Sequence, residues 1–457
     1  MTTDDLLAGR GFPVVLTAFA RSILARVSQR RWPLVISVVS IITGMAYTLF
    51  WAPVVRHHPY WLTPPDLWCT FRSAHFIGWG DLGGVYSAGT ELVTFPGLLL
   101  LLAPVAMLSG ALHLTESFPR FLTHPTAWLL LGPFAILLSS VALFAMDALA
   151  ARLGVSKGRR ALLCVIEGAV LWNGTVIWGH PEDAIAVALA IYSLLFALDG
   201  RWTGAGWLFG LAMATQPLVV LMLPILLAMC GRQRITSFLF RSILPFVALM
   251  ATPLIAQFHP TMHAILDQPN YPRIDHATPW TVLAPKLGGG GIDAAVSAGP
   301  GRIVAILLAC GLGLWARRHV DRPDVLVWAA ALAMAFRCFT ESVMDSFYIW
   351  PALAIGLVVA ARAGRLRLAV AGTLAVLTTV VSNWHLGEFP WWALVTAGIL
   401  LVLAAGGVGR ISRHGSRMPM TLDNDTDVSQ LEIRFARLPD MRQSAMAGTG
   451  RQRWHKW

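Results

Sequence analysis

The chain has 457 residues, of which 56% are hydrophobic and only 13% charged, with a formal net charge of +11. Soluble domains carry about 25% charged residues, so this composition excludes a water-soluble fold, whose interior is too small to hide so much apolar side chain. The five cysteines (Cys69, Cys164, Cys230, Cys310, Cys338) are scattered without a CxxC pair, so neither a zinc site nor a disulfide framework is suggested.

A basic stretch with Arg21, Arg26, Arg30 and Arg31 precedes the first apolar run, 33–51. No small-residue cleavage site follows that run, so it reads as a retained span and not as a signal peptide. Further apolar runs follow at 125–149, 161–177, 183–199, 203–215, 217–230, 237–256, 301–316, 324–340, 346–362, 368–383 and 390–407. The expected fold is all-α: a polytopic transmembrane helical bundle of about twelve spans over residues 1–408, with both termini in the cytoplasm. Runs 203–215 and 217–230 are short and flank Pro217, so one kinked helix is the alternative there. Residues 409–457, polar and rich in Ser, Asn and Gly, are expected to form a disordered cytoplasmic tail.

Charge placement tests the topology. With this assignment all but seven of the 35 Lys and Arg fall in cytoplasmic segments; the exceptions are Arg56, Arg72, Arg120, Arg273, Lys286, Arg302 and Arg337. The basic excess is therefore a topogenic, lipid-facing signal, and nucleic acid is not an expected partner. The run 93–112 would put Arg152–Arg160 outside if it crossed. It is read instead as an interfacial or re-entrant helix within a long first outer loop, 52–124, and Pro96 and Pro104 argue against an uninterrupted span.

The expected outer face is acidic and holds ten of the thirteen histidines. In the first outer loop Pro64-Pro65 precede Asp66, and Leu67, Phe71, Ala74 and Gly78 recur at helical spacing. Residues 66–78 thus predict an amphipathic surface helix, and spacing alone favours Asp66 as its N-cap. The segment Ile177–Ala190 carries His180, Glu182 and Asp183 where one span ends and the next begins. Two adjacent carboxylates there suit an amine, a cation or sugar hydroxyls; a cap after Pro181 is the alternative, but a cap needs only one of them. The second long outer loop, 257–299, supplies Tyr271, Arg273, Asp275, His276 and Trp280. Arg273 and His276 suit a phosphate, against the plainer reading of a solvated loop. The tetraglycine Gly288–Gly291 reads as a hinge. Finally Arg337, Glu341, Asp345 and Tyr348 lie at the outer ends of two spans, where Arg337 and Glu341 have ion-pair spacing and Arg337 is a second candidate for a phosphate.

The chain resembles the GT-C superfamily of polytopic membrane glycosyltransferases, and most closely the bacterial polyprenyl-phosphomannose-dependent mannosyltransferases, including those of actinobacterial envelope synthesis. The resemblance rests on an acidic residue after the first span (Asp66) and on Tyr86. It rests further on Phe95-Pro96-Gly97-Leu98 running to Pro104, and on Gly210-Leu211-Ala212, Thr215-Gln216-Pro217 and Leu223-Pro224. Gln216 stands where such proteins often have Lys, and it is not placed in the site.

The resemblance implies transfer of a sugar, mannose or another pyranose or pentose, from a polyprenyl-phosphate donor to a hydroxyl of a lipid or envelope glycan. It implies a multi-pass plasma-membrane protein with an outward-facing site. Asp66 would be the general base of a single inverting displacement. Arg273, His276 and Arg337 would meet the donor phosphate, and His180, Glu182 and Asp183 the sugar or acceptor. No cofactor is required, although the acid pair is a candidate holder of a divalent cation. The rival class is a multi-pass transporter or lipid flippase. A transporter usually places charge near the membrane midplane, and here only Asp147 and Glu167 are acids within spans.

Overall fold

A computed structural model describes residues 30–55, 57, 60–87, 94–117, 123–266, 269–270, 275–287, 294–296 and 299–407. The helices in chain order are α1 (Arg31–Val55), α2 (Pro65–Gly78), α3 (Pro96–Ala111), α4 (Trp128–Arg152), α5 (Lys157–Ile177), α6 (Pro181–Leu198), α7 (Trp202–Thr215), α8 (Pro217–Met229), α9 (Arg232–Ala256) and α10 (Phe258–Leu266). They continue with α11 (Pro300–His319), α12 (Pro323–Thr340), α13 (Ser346–Ala363), α14 (Arg365–Val381) and α15 (Glu388–Gly406). Short strands lie between and after α10 and α12: β1 (Pro269–Asn270), β2 (His276–Ala277), β3 (Lys286–Leu287), β4 (Ala294–Val296) and β5 (Val343–Met344). Among the described residues nine helices are long and apolar enough to cross a membrane: α1, α4, α5, α6, α9, α11, α12, α13 and α15.

The all-α bundle is as expected, but twelve spans of full length are not found. Of the other three expected spans, α7 has 14 residues and α14 has 17, and α8 opens with a tight 3-10 segment, Pro217–Met222. The single kinked helix is replaced by two elements. Gln216 between them is extended, with φ −153° and ψ 109°, because a residue before proline is forced out of the helical region.

The run 93–112 becomes α3, and it continues through Pro104 instead of breaking there. At about 1.5 Å per residue its 16 residues span about 24 Å, short of an apolar layer about 30 Å thick. It packs against α2, whose Leu67, Trp68, Phe71 and Ala74 are buried.

The core centres on α13, every residue of which is buried from Trp350 to Ala361. Its neighbour α12 is rich in buried alanines, among them Ala329, Ala330, Ala331, Ala333 and Ala335. Small side chains let helix backbones approach closely, which suits a bundle without water to drive association. At the periphery α1 buries few residues, among them Ser37 and Gly44, and leaves Ile42, Phe50, Trp51 and Val54 exposed, as a lipid-facing helix would.

Successive spans alternate in direction, so the C-terminal ends of α1, α5 and α12 and the N-terminal ends of α6 and α13 share one end of the bundle. The opposite end is tied by Asp147, 2% exposed, which accepts Arg160 Nε at 2.7 Å and Nη2 at 2.6 Å and is also paired with Arg30. Glu167, near the middle of α5, is 1% exposed, and neither of its oxygens has a hydrogen-bond partner among the described residues.

Candidate functional site

Two π-turns shape the end of the bundle where the acidic residues gather. The first, Tyr47–Trp51, widens α1 at Thr48, whose carbonyl accepts the Leu62 amide at 3.0 Å and whose hydroxyl accepts Trp128 Nε1 at 3.0 Å. The chain leaving α1 is thereby laid over the bundle toward α2. The second, Asn173–Ile177, ends α5, and the Gly174 carbonyl accepts the His180 amide at 3.0 Å. Such insertions recur where a helix must re-aim a side chain.

Between these turns Gly179 has φ +71°, and a Cβ there would lie 2.5 Å from Pro64 Cβ and 3.2 Å from Leu67 Cβ. Glycine supplies both the left-handed conformation and the space. The start of α2 therefore rests directly on the α5–α6 turn and brings Asp66 to His180.

Asp66 does not act as the N-cap. Pro64 occupies that position without a side-chain cap, and Asp66 stands in the first turn, where its Oδ2 lies 3.2 Å from His180 Nε2. The other ring nitrogen, Nδ1, lies 2.6 Å from Glu182 Oε1, and the ring stacks on Phe347 with centroids 3.7 Å apart. The Asp66 side chain is 57% exposed and that of Glu182 only 2%. Burial pushes the Asp66 carboxyl up, but the hydrogen bond and charge of His180 outweigh it and hold it below its ordinary 3.8. For His180 burial pushes down, yet Glu182 and Asp66 win and keep the ring well above 6.5.

Asp183 follows Glu182 into the bundle and is 4% exposed. Gln216 Nε2 donates to its Oδ1 at 3.0 Å, while Oδ2 has no partner among the described residues. Gln216, which the sequence reading leaves out of the site, is thus in contact with it: the extended break before Pro217 frees its side chain to reach α6. Neither acid caps α6, whose N-cap His180 makes no side-chain cap.

From α12, Arg337 donates Nε to Glu341 Oε2 at 3.3 Å, and Arg302 Nε holds the other oxygen, Oε1, at 2.9 Å. Arg337 is 9% exposed and feels the charge of Asp183. Asp345, just before α13, hydrogen-bonds Asp275 and Tyr348. Burial and the charge of Asp275 push Asp345 well above 3.8.

The segment between α10 and α11 docks here through β2, which pairs with β5 and sets His276 opposite Met344. Trp280 Nε1 also donates to the Phe339 carbonyl at 2.7 Å. His276 is 6% exposed and stacks on Trp391 at 3.9 Å. Burial, with His385 beside it, pushes it down to about 4. Near neutral pH the ring is therefore neutral, and what it can offer a phosphate is a neutral hydrogen bond. Tyr271, Arg273 and Gly288–Gly291 lie outside the described residues.

The expected residues Asp66, His180, Glu182, Asp183 and Arg337 therefore meet in one cluster with Asp275, Glu341, Asp345 and Tyr348. Phe347 and Gln216 belong to it too, and only the proline after Gln216 hinted at the latter. Among the described residues no group of three or more His, Cys, Asp or Glu is arranged to hold a metal ion. The arrangement offers a solvent-reaching carboxylate, buried acceptors for hydroxyls and one buried guanidinium. No known protein-family profile matches the chain, and no curated protein is recognisably similar to it.

Proposed function

We propose that this chain is a membrane glycosyltransferase that moves a sugar from a polyprenyl-phosphate donor to a hydroxyl of a lipid or cell-envelope glycan. One observation carries the reading: the half-exposed Asp66 carboxylate is held by buried groups at the end of an apolar bundle, beside buried acids and Arg337. A donor with a lipid tail and a phosphosugar head needs such a boundary. The site belongs on the outer face of the plasma membrane, because the basic residues concentrate in the segments assigned to the cytoplasm.

The acceptor oxygen attacks the anomeric carbon while the carbon–oxygen bond to phosphate breaks, and the bonding pair leaves on the polyprenyl phosphate. Asp66 takes the hydroxyl proton and releases it to solvent. The anomeric configuration inverts in a single displacement. Arg337, with Arg273 from the second outer loop, balances the charge growing on the phosphate, and His276 adds a neutral hydrogen bond. Glu182 and Asp183 orient sugar hydroxyls. No cofactor is needed.

Asp66→Asn preserves shape and removes the basic oxygen. Transfer from a polyprenyl-phosphate sugar is expected to fall at least about 10²-fold, with the protein folded in the membrane. Near-normal transfer would move the base to Glu182 or Asp183. A wild-type protein that transfers from no polyprenyl donor would overturn the reading.

A transporter or flippase is the second reading, and Glu167 favours it. An ionisable side chain near the middle of a span, buried without a hydrogen-bond partner among the described residues, is a feature of ion- and proton-coupled carriers.

A further inference from the structure

The resemblance places His180 among the sugar and acceptor ligands, yet its ring has no free edge. Nε2 faces Asp66 at 3.2 Å, Nδ1 faces Glu182 at 2.6 Å, and one ring face lies on Phe347, tilted from it by only 16°. We propose that His180 is a positioning residue, clamping the Asp66 carboxylate to the bundle so that one oxygen points to the incoming hydroxyl. This rests on the glycosyltransferase reading.

Three separate segments converge on the ring: the first turn of α2, the α5–α6 turn, and the turn Ser346–Ile349 that opens α13. The exposure of the three side chains falls along the line, from 57% at Asp66 through 10% at His180 to 2% at Glu182. Asp66 is the wet end and Glu182 the dry anchor. A short carboxylate on a surface helix would otherwise exchange rotamers freely. His180 takes Oδ2, which leaves Oδ1 for the acceptor.

A ring that bridges two carboxylates must donate from both nitrogens, which only the imidazolium does. The charged groups acting on it are Asp66 from α2, Glu182 and Asp183 from α6, and Asp345 from the turn before α13, with Arg337 on α12 facing Asp183. The acids keep the ring charged, and the ring in turn keeps Asp66 ionised. Removing the ring should therefore change both the aim and the proton affinity of Asp66. A His that merely supported the fold would change neither.

The test uses the full chain in lipid nanodiscs and reads Asp66 directly. A water-soluble carbodiimide with an amine nucleophile labels protonated carboxyls, and mass spectrometry follows labelling of Asp66 against pH. In the wild type half-labelling is expected below the ordinary 3.8. In His180→Ala and His180→Gln it should move up by about one pH unit or more. In the transfer assay kcat should fall about 10²-fold, the scale of a misplaced reacting group, with KM for the donor unchanged and the acid limb shifted upward in parallel. Should His180→Ala fail to fold, His180→Gln and Phe347→Leu carry the test, the latter expected to give a smaller shift in the same direction. An unmoved labelling midpoint overturns the proposal. So does a raised KM with unchanged kcat, which would return His180 to ligand binding. A wild type without transferase activity removes the glycosyltransferase reading, while the labelling arm still decides whether His180 governs Asp66.

Discussion

The guanidinium carbon of Arg337 lies 3.4 Å from the centre of the Tyr348 ring. The ring covers one face of the cation, Glu341 takes Nε, and Nη1 has no hydrogen-bond partner among the described residues. A planar, always-charged group fixed in this way needs no reorganisation to meet an anion.

Replacing that plane separates charge from geometry. Arg337→Lys keeps the charge but loses the stacked fork, so KM for the donor should rise about tenfold, or about 1.4 kcal/mol, with the fold intact. Arg337→Ala leaves Glu341, 1% exposed, with Arg302 as its remaining partner. A loss of about 3 kcal/mol in unfolding free energy is expected, the lower end for a broken buried pair. Donor titrations and thermal unfolding in detergent read the two effects. An unchanged KM in Arg337→Lys would take Arg337 out of donor binding.

Acid should weaken the docking of the segment between α10 and α11. His276 is depressed from 6.5 to about 4 by burial and by His385, so the unfolded chain binds its proton first as pH falls. The sign is fixed by that order: stability is full above about 6.5, falls as pH drops below it, and has lost up to about 3 kcal/mol near pH 4. Unfolding midpoints measured through this window should decline in the wild type. In His276→Phe, which keeps a ring against Trp391, the share of that decline due to this residue should vanish. Equal slopes in the two proteins would refute the assignment.

Glu167→Gln discriminates the two functional readings. The substitution is nearly isosteric and places no charge in the core, so thermal stability should hold or rise slightly. Sugar transfer should be unchanged under the glycosyltransferase reading. Complete loss of function after this change, remote from Asp66, would instead support a carrier that moves protons or cations through α5.

The apolar runs announced the spans well, because a membrane helix must be apolar over most of its length whatever it packs against. The expected 324–340 and 346–362 became Pro323–Thr340 and Ser346–Ala363. The break between α7 and α8 is legible from Pro217, but its consequence is not: the extended Gln216 reaches across to Asp183 on α6. The acids and Arg337 of the site stood out as charges at span ends. Their connections did not, since Asp66 and His180 are 114 positions apart and Gln216 and Asp183 are 33 apart. Phe347 gave no signal, because a phenylalanine near a span end in an apolar chain is indistinguishable from packing.

Gly179 bears no functional group, yet Pro64 and Leu67 come to rest where its side chain would be. Any substituent there must push the start of α2 outward and carry Asp66 away from His180, while the spans themselves stay in place. The position thus marks a point of genetic fragility without chemistry. A variant with every acid, His180 and Arg337 intact could reach the membrane, fold its bundle and still be silent. The cause would be one methyl group lodged between the start of α2 and the helix turn that supports it.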